Sequence, residues 1–310
     1  MIRYVKHQDI DPQRWDNAVK NAANHSVFGT YEILNILSGN QNWDAVVEDD
    51  YMRVMPLPYR LKYGIPYIYT PFFLPQMGVF STSPLDAETT LKFFNIIPRR
   101  FIQIDLLFNP YNDISKLPEN QICLISHEMK LQEDYESLCA NFSQNTRRNI
   151  KSAEKHFLTI EYNPKLVEKI IQLFQNNRGK SPQVHYKEQD YQNLNRAAQY
   201  LLGLNLLDVV GVRDAEQKLI AGALLVRDHQ RIWFWFSGRD ETAADSKPMF
   251  FLLNEYLKNK CESDLTFDFN GSVNENVARL YRGFGGIPYP IMLLQHSRLK
   301  LLQKIKSNSR

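Results

Sequence analysis

Two polar residues close a predicted strand in the second half of the chain. Asp268 and Asn270 stand two positions apart, so their side chains share one face of the strand, opposite Phe267 and Phe269. A carboxylate at such a strand end could orient or deprotonate an amine, and an amide side chain could hold a carbonyl. In the structural alternative, Asp268 bonds the backbone of the next loop and Asn270 begins a turn at Gly271. Both alternatives stay open at this point.

Three basic residues near the start of a predicted helix form a second group of candidates for substrate binding. Arg147, Arg148 and Lys151 place two of their cations one helical turn apart. Arginine suits bidentate contacts with phosphate or carboxylate groups. Cations near a helix N-terminus oppose the helix dipole, so local stability does not explain them. The alternative is a solvated face with Glu154 as the partner.

Further candidates for substrate binding lie on a predicted strand and in an aromatic stretch. Ser237 ends the strand 231–237, which is the third strand of an antiparallel meander. Tyr67 and Gln76 belong to a stretch rich in proline and aromatic residues that could line a cleft between domains. An ordered loop that packs on itself is the alternative for this stretch.

Length and composition predict a two-domain globular protein. The chain has 310 residues, of which 44% are hydrophobic and 23% charged, which excludes an intrinsically disordered chain. Residues 1–140 carry 12 basic and 17 acidic side chains, whereas residues 141–310 carry 25 and 17. The positive second half favours an anionic ligand such as a phosphate, a nucleotide or tRNA, although a solvated basic surface would look the same.

Several classes of protein are excluded by what the sequence lacks. Its three cysteines are scattered, and its seven histidines form no pair with metal-ligand spacing, so we expect neither a disulfide framework nor a metal site. No apolar run reaches the length of a membrane span, and the first residues lack the apolar core of a signal peptide. We therefore expect a cytoplasmic protein.

The elements that must position these residues form two similar series. Each half has a hairpin or meander, then a helix, then a strand that ends in Phe-Asn, at Phe108-Asn109 and at Phe269-Asn270. The prolines between residues 56 and 78 predict edge structure and ordered loop rather than a central strand. A helix is expected to begin at Ser246 as its N-cap, with Pro248 in its first turn.

Two segments together carry a family resemblance. NTRRNIKSAEKHFLTIE (residues 145–161), followed about 110 residues later by FDFNGSVNENVARLYRGFGG (residues 267–286), resembles the FemABX family, which consists of tandem GNAT-like domains. The resemblance implies an α+β (mixed α/β) fold with two tandem GNAT-like domains, each a mixed, mainly antiparallel sheet flanked by helices. It places a degenerate first domain at residues 1–135 and a better-preserved second domain at residues 136–310.

The resemblance also implies an activity. It predicts a transferase that forms an amide bond by moving an acyl or aminoacyl group onto an amine, with no tightly bound cofactor and with aminoacyl-tRNA or acyl-CoA as the donor. The acceptor would be a small molecule or a peptidoglycan precursor, charged tRNA is a potential partner, and DNA is not. Tyr281 would occupy the position of the tyrosine that protonates the leaving group, although a plain core position fits it equally. The chain lacks the long coiled-coil arm of some members, which leaves tRNA recognition by that arm unsupported.

Two segments qualify this implied activity. The loop Arg239–Pro248 is acidic and poor in glycine, so we expect negligible affinity for acetyl-CoA there. The tail 298–306 alternates basic and apolar residues and could make weak peripheral contact with a membrane. Two alternatives to an aminoacyl transferase remain: an inactive GNAT-fold module that binds an anionic ligand, and an acyl-CoA-dependent N-acetyltransferase.

Overall fold

The computed structural model describes residues 1–39, 42–118, 120–271 and 274–298. The elements alternate strands and helices along the whole chain, as the predicted mixed α/β class requires. In chain order they are β1 (Ile2–Val5), α1 (Pro12–Lys20), α2 (Tyr31–Leu37), β2 (Trp43–Glu48), β3 (Arg53–Lys62), β4 (Ile65–Tyr69), α3 (Ala87–Ile96), β5 (Gln103–Phe108), β6 (Gln121–Lys130), α4 (Tyr135–Ala140), α5 (Gln144–Ala153), β7 (Thr159–Tyr162), α6 (Val167–Asn176), α7 (Glu188–Gly203), β8 (Leu207–Arg213), β9 (Leu219–Asp228), β10 (Arg231–Arg239), α8 (Pro248–Lys260), β11 (Thr266–Asp268), α9 (Glu275–Gly283) and β12 (Ile287–Ser297).

The chain divides into two compact units. The first comprises Met1–Leu124 together with the described residues from Pro290 onward, and the second comprises Ile125–Tyr289. The domain boundary after residue 135 stays a prediction. The basic tail 298–306, apart from Arg298, lies outside the described residues.

The first unit contains a mixed sheet. Its strands follow the order β1-β2-β3-β4-β5, and the part of β12 from Met292 onward pairs with β5. All neighbouring pairs are antiparallel except β4 with β5. Trp15, Trp43 and Phe93 are fully buried against this sheet and its helices. The unit thus has the predicted mainly antiparallel character.

The expectation of edge structure is wrong for β3 and β4, which are interior strands, whereas residues 70–76 form a loop as expected. Pro56 and Pro58 lie two and four positions after Val54 on β3, so their backbone nitrogens face the same side as that of Val54. The backbone N–H of Val54 bonds Phe80 rather than β2. The backbone nitrogens of these prolines, which carry no hydrogen, therefore also face away from β2, and no hydrogen bond of the β2 ladder is lost. A proline in that phase leaves the ladder intact.

The second unit repeats the same order of elements. Its strands follow β6-β11-β10-β9-β8-β7, and only β10 and β11 are parallel. In each unit an antiparallel meander leads through a helix, α3 or α8, to a strand parallel to the last meander strand. This repetition confirms the tandem arrangement predicted from the two Phe-Asn strand ends.

The start of α8 differs in one detail from the prediction. Lys247 in the left-handed conformation, rather than Ser246, precedes the helix, and Pro248 is its first residue. The hydroxyl of Ser246 instead donates to the carbonyl of Ala243, which closes the turn before the helix. Leu252, Leu253 and Tyr256 of α8 are fully buried in the core of this unit.

Candidate active site

The sheet of the second unit opens between β10 and β11. The parallel pairing covers only three positions and ends where Trp233 meets Asp268. One residue further along β10, the register with β9 shifts between Phe234 and Phe236, as at a β-bulge. We call the region beyond these last pairs, residues 234–237 of β10 and residues 269–270 after β11, the strand opening.

Asp268 lies at the root of the strand opening and is fully buried. Its Oδ2 atom accepts hydrogen bonds from Arg231 and from the hydroxyl of Tyr289, each at 2.6 Å. Its Oδ1 atom accepts the backbone N–H of Asn270 at 2.8 Å and the hydroxyl of Ser126 at 3.4 Å. A carboxylate has about four acceptor sites, so these four donors occupy them all.

Opposing effects act on the ionisation of this group. Burial raises the pKa of Asp268 above its ordinary value, and the charge of Arg231 and the donors Tyr289 and Asn270 offset only part of that rise. Burial also disfavours the charge of Arg231, but Asp268 and Glu128 outweigh it and raise the pKa of this guanidinium. Glu128 is the second carboxylate on Arg231, at 2.7 Å. Arg231 thus bridges two acids.

Asn270 begins a turn at Gly271, as the structural alternative in the sequence analysis predicts. Its φ of 58° and that of Gly271, 64°, are both left-handed, and the bond from its backbone N–H to Asp268 fixes the turn. Asn270 is partly exposed at the strand opening, as is Ser237 on β10. The catalytic roles of Asp268 and Asn270 stay predictions.

Tyr281 of α9 reaches the same region from the helix side. Its ring stacks on Phe269, with centroids 4.7 Å apart, and meets Phe234 edge-on at 6.3 Å. Its hydroxyl has no hydrogen-bond partner among the described residues. Burial, reinforced by the charge of Asp268, raises the pKa of this phenol, so it stays protonated at neutral pH. A protonated phenol can donate a proton to a leaving group.

His127 is a further polar residue of this region that the sequence did not single out. It lies on β6, is 1% exposed and meets the ring of Tyr281 edge-on at 6.2 Å. Neither ring nitrogen of His127 has a hydrogen-bond partner among the described residues. Burial and, to a lesser degree, the charge of Arg282 lower the pKa of this imidazole. No spacing signal marks it in the sequence, because its neighbours come from distant segments.

The basic candidates lie on the surface of α5. Ser143 caps this helix, and the side chains of Arg147, Arg148 and Lys151 are exposed. Arg147 donates to the carbonyls of Cys139 and Ala140 at the end of α4, at 3.5 and 3.4 Å, rather than pairing with Glu154. The described residues offer Arg148 and Lys151 no ion pair. Their role in binding an anion stays a prediction.

A surface groove of about 370 Å³ borders the loop before α8. Its walls include Lys218, Thr242, Asp245 and Ser246. Asp240 of this loop accepts a bond from Lys218 and caps Thr242, and these bonds lower the pKa of Asp240 to about 2. At least one acid of this acidic loop is therefore already paired.

The remaining candidates belong to the first unit. Tyr67 lies on β4 with its ring 5.8 Å from that of Tyr69, and Gln76 is partly buried in the loop that follows. The guanidinium of Arg60 lies over the rings of Tyr69 and Phe72, at 4.5 and 5.5 Å. Their role in substrate binding stays a prediction.

Fold and sequence together define the class of this protein. Residues 140–276 match the family model described as "Acetyltransferase (GNAT) domain". The match covers less than half of the chain and lies within the second unit, where it includes the meander β8–β10, the helix α8 and the parallel strand β11. The predicted GNAT resemblance is therefore confirmed.

Solved structures extend this relation to the whole chain. The crystal structure of FemX is similar over 96% of this chain and 98% of that chain, with a TM-score of 0.65 and 12% identity. L-PGS from Bacillus licheniformis is similar over 95% of both chains, with a TM-score of 0.58 and 8% identity. N-myristoyltransferase of Saccharomyces cerevisiae with bound myristoyl-CoA is similar over 96% of this chain and 83% of that chain, with a TM-score of 0.50 and 9% identity.

These similarities establish a FemX-type fold with tandem GNAT-like domains. A comparison with curated proteins gave no significant match. Among the described residues, no helix combines the length and apolar character needed to cross a bilayer.

Proposed function

We propose that the second unit is an acyltransferase that forms an amide at the strand opening. The observation that carries this proposal is the hydroxyl of Tyr281, which has no hydrogen-bond partner among the described residues and whose ring stacks on Phe269 next to the point where β10 and β11 separate. An acyl donor in the opening would place its carbonyl near Asn270 and its leaving group near Tyr281.

The reaction needs no covalent enzyme intermediate. The amine nitrogen attacks the acyl carbon, the new C–N bond forms, and the bond from carbon to the sulfur or oxygen of the donor breaks. Tyr281 donates its proton to the leaving thiolate or alkoxide, and the proton lost by the amine restores the phenol through solvent. Because direct attack requires only positioning and proton transfer, the residues of the opening are sufficient.

In this proposal Asp268 does not act as the base that deprotonates the amine. All four of its acceptor sites are occupied, so it can take a proton only after losing a partner. We propose that Asp268 is a positioning residue, which holds the turn at Asn270 and thereby the side chain that faces the carbonyl.

The donor is an activated acyl or aminoacyl group. The FemX-type fold supports an aminoacyl ester, and the GNAT match and the fold shared with a myristoyl-CoA complex support an acyl thioester. We propose that the acceptor is an amine that carries a phosphate, because the exposed cations of α5 have no acidic partner among the described residues. A peptidoglycan precursor satisfies that chemistry.

A catalytically inactive binding module is the second candidate. The complete set of donors around Asp268 favours this module, because a carboxylate whose hydrogen-bond acceptor sites are all occupied is typical of a structural role. Such a module would bind an anionic ligand without turnover.

The two candidates are separated by product analysis. The full chain is incubated with acetyl-CoA, palmitoyl-CoA or aminoacyl-tRNA and with paired amines that differ only in a phosphate, and the products are measured by mass spectrometry. The proposal expects an N-acylated product and a KM for the phosphorylated amine that rises about tenfold in Arg148→Ala, as one lost charge-assisted contact would produce. Lys155→Ala, another exposed cation, is the matched control. Absence of product with every donor contradicts the enzyme and favours the module.

A further inference from the structure

The hairpin that joins β3 to β4 presents apolar side chains to solvent. Its end, residues 61–65, is called here the hairpin tip. Leu61, Tyr63 and Ile65 are 67%, 93% and 44% exposed. A Cβ atom added to Gly64 would meet no atom within 4 Å, so nothing packs against the turn at this position.

Turn geometry does not explain why a tyrosine occupies position 63. Lys62 pairs with Ile65, which leaves Tyr63 and Gly64 as a two-residue turn with φ of 53° and 77°. Such turns favour asparagine, aspartate or glycine at the first position, because a bulky side chain is strained at positive φ. A tyrosine that is both strained and almost fully exposed is not accounted for by folding.

The charge of this segment also departs from its surroundings. Residues 51–84 contain no aspartate or glutamate, although residues 1–140 as a whole carry 17 acidic and 12 basic side chains, and Arg60 and Lys62 are the cations next to the tip, since Arg53 lies at the far end of β3 and pairs with Glu48. The ammonium of Lys62 lies 6.0 Å from the centre of the Tyr63 ring. Positive charge thus stands directly behind the apolar end of the hairpin.

We propose that the hairpin tip docks into the interface of an anionic lipid bilayer. Tyrosine rings reside at the headgroup level of membranes, aliphatic side chains reach the acyl boundary beneath, and nearby cations attract anionic headgroups. A single hairpin gives weak and reversible binding. An acidic protein partner fits less well, because a stable interface buries about 1,000 Å² or more, whereas three side chains on a tight turn form a pointed surface.

Vesicle sedimentation tests the proposal with the full chain. The wild type is expected to bind vesicles of phosphatidylcholine that contain one quarter phosphatidylglycerol and not to bind vesicles of pure phosphatidylcholine. The bound protein should dissociate as the salt concentration rises. The double variant Leu61→Ser/Tyr63→Ser should bind about tenfold more weakly or worse, and Lys62→Glu should remove the preference for phosphatidylglycerol. Met52→Ser, at a half-exposed residue in another turn, should bind like the wild type.

Fluorescence gives an independent readout. The four native tryptophans are at most 4% exposed, so the difference in emission between Tyr63→Trp and the wild type reports on the tip, and Met52→Trp is its control. A blue shift with the anionic vesicles is expected only at position 63. Unchanged binding by the double variant, no binding by the wild type, or binding lost only when residues 299–310 are removed would each overturn the proposal. Saturable binding of polyglutamate without vesicle binding would identify an acidic protein surface instead.

Discussion

The hydroxyl of Tyr289 donates a 2.6 Å hydrogen bond to the fully buried carboxylate of Asp268. The two residues lie on β12 and β11, and their bond completes the set of donors around the charge. Burial, together with the charge of Asp268, raises the pKa of Tyr289, so the phenol remains a donor at neutral pH. The root of the strand opening is therefore held by a polar network inside the core.

The first prediction concerns that bond. Tyr289→Phe removes one donor from a buried carboxylate and should lower the free energy of unfolding by about 1.5–3 kcal/mol, the usual contribution of a hydrogen bond to a charged group. Urea denaturation at pH 7 measures the change. Tyr281→Phe is the matched control, because its hydroxyl has no partner among the described residues. Equal stability of Tyr289→Phe and the wild type would show that the network does not depend on this phenol.

Part of this site could be predicted from the sequence. The position of Asp268 at a strand end and the three-stranded meander could be predicted, whereas a face shared by Asp268 and Asn270 could not, because β11 ends at Asp268 and Asn270 turns with a left-handed backbone. The partners of Asp268 could not be predicted, because Arg231 and Tyr289 lie 37 and 21 residues away and are brought in by strand pairing. His127 has no local signal at all. The interior strands β3 and β4 were missed because the phase of a proline relative to its ladder is set by pairing rather than by composition.

The second prediction concerns Gly238 at the end of β10. A Cβ atom there would lie 2.2 Å from the carbonyl oxygen of Ile170 and 2.8 Å from the backbone nitrogen of Phe174. Gly238→Ala should therefore force β10 and α6 apart and lower the free energy of unfolding by about 3 kcal/mol or more. Gly203→Ala, where a Cβ meets nothing within 4 Å, should be neutral or stabilise by about 0.5–1 kcal/mol. Similar denaturation midpoints for the two variants would contradict the close approach.

The third prediction concerns the buried imidazole of His127, whose nitrogens have no hydrogen-bond partner within the described part of the chain. His127→Leu replaces two buried, unbonded nitrogens with an apolar side chain and should raise the free energy of unfolding by about 1–3 kcal/mol at pH 7. The advantage should grow as pH falls below about 6.5, because the lowered pKa makes the unfolded chain bind the proton first. Denaturation curves at pH 7 and pH 5 measure both effects. A loss of stability in His127→Leu would indicate that ordered water bonds the ring.

The most direct test of the proposed acyltransferase is the turnover of Tyr281→Phe, measured with the donor and acceptor that give product with the wild type. The change removes one hydroxyl that has no partner among the described residues, so the denaturation midpoint should not move. Tyr256→Phe is the control, because its hydroxyl bonds Asp208 away from the strand opening. We predict that kcat of Tyr281→Phe falls by about 10²-fold or more while that of Tyr256→Phe is retained. Equal kcat values for Tyr281→Phe and the wild type would contradict proton donation by Tyr281 and, with it, the proposed site.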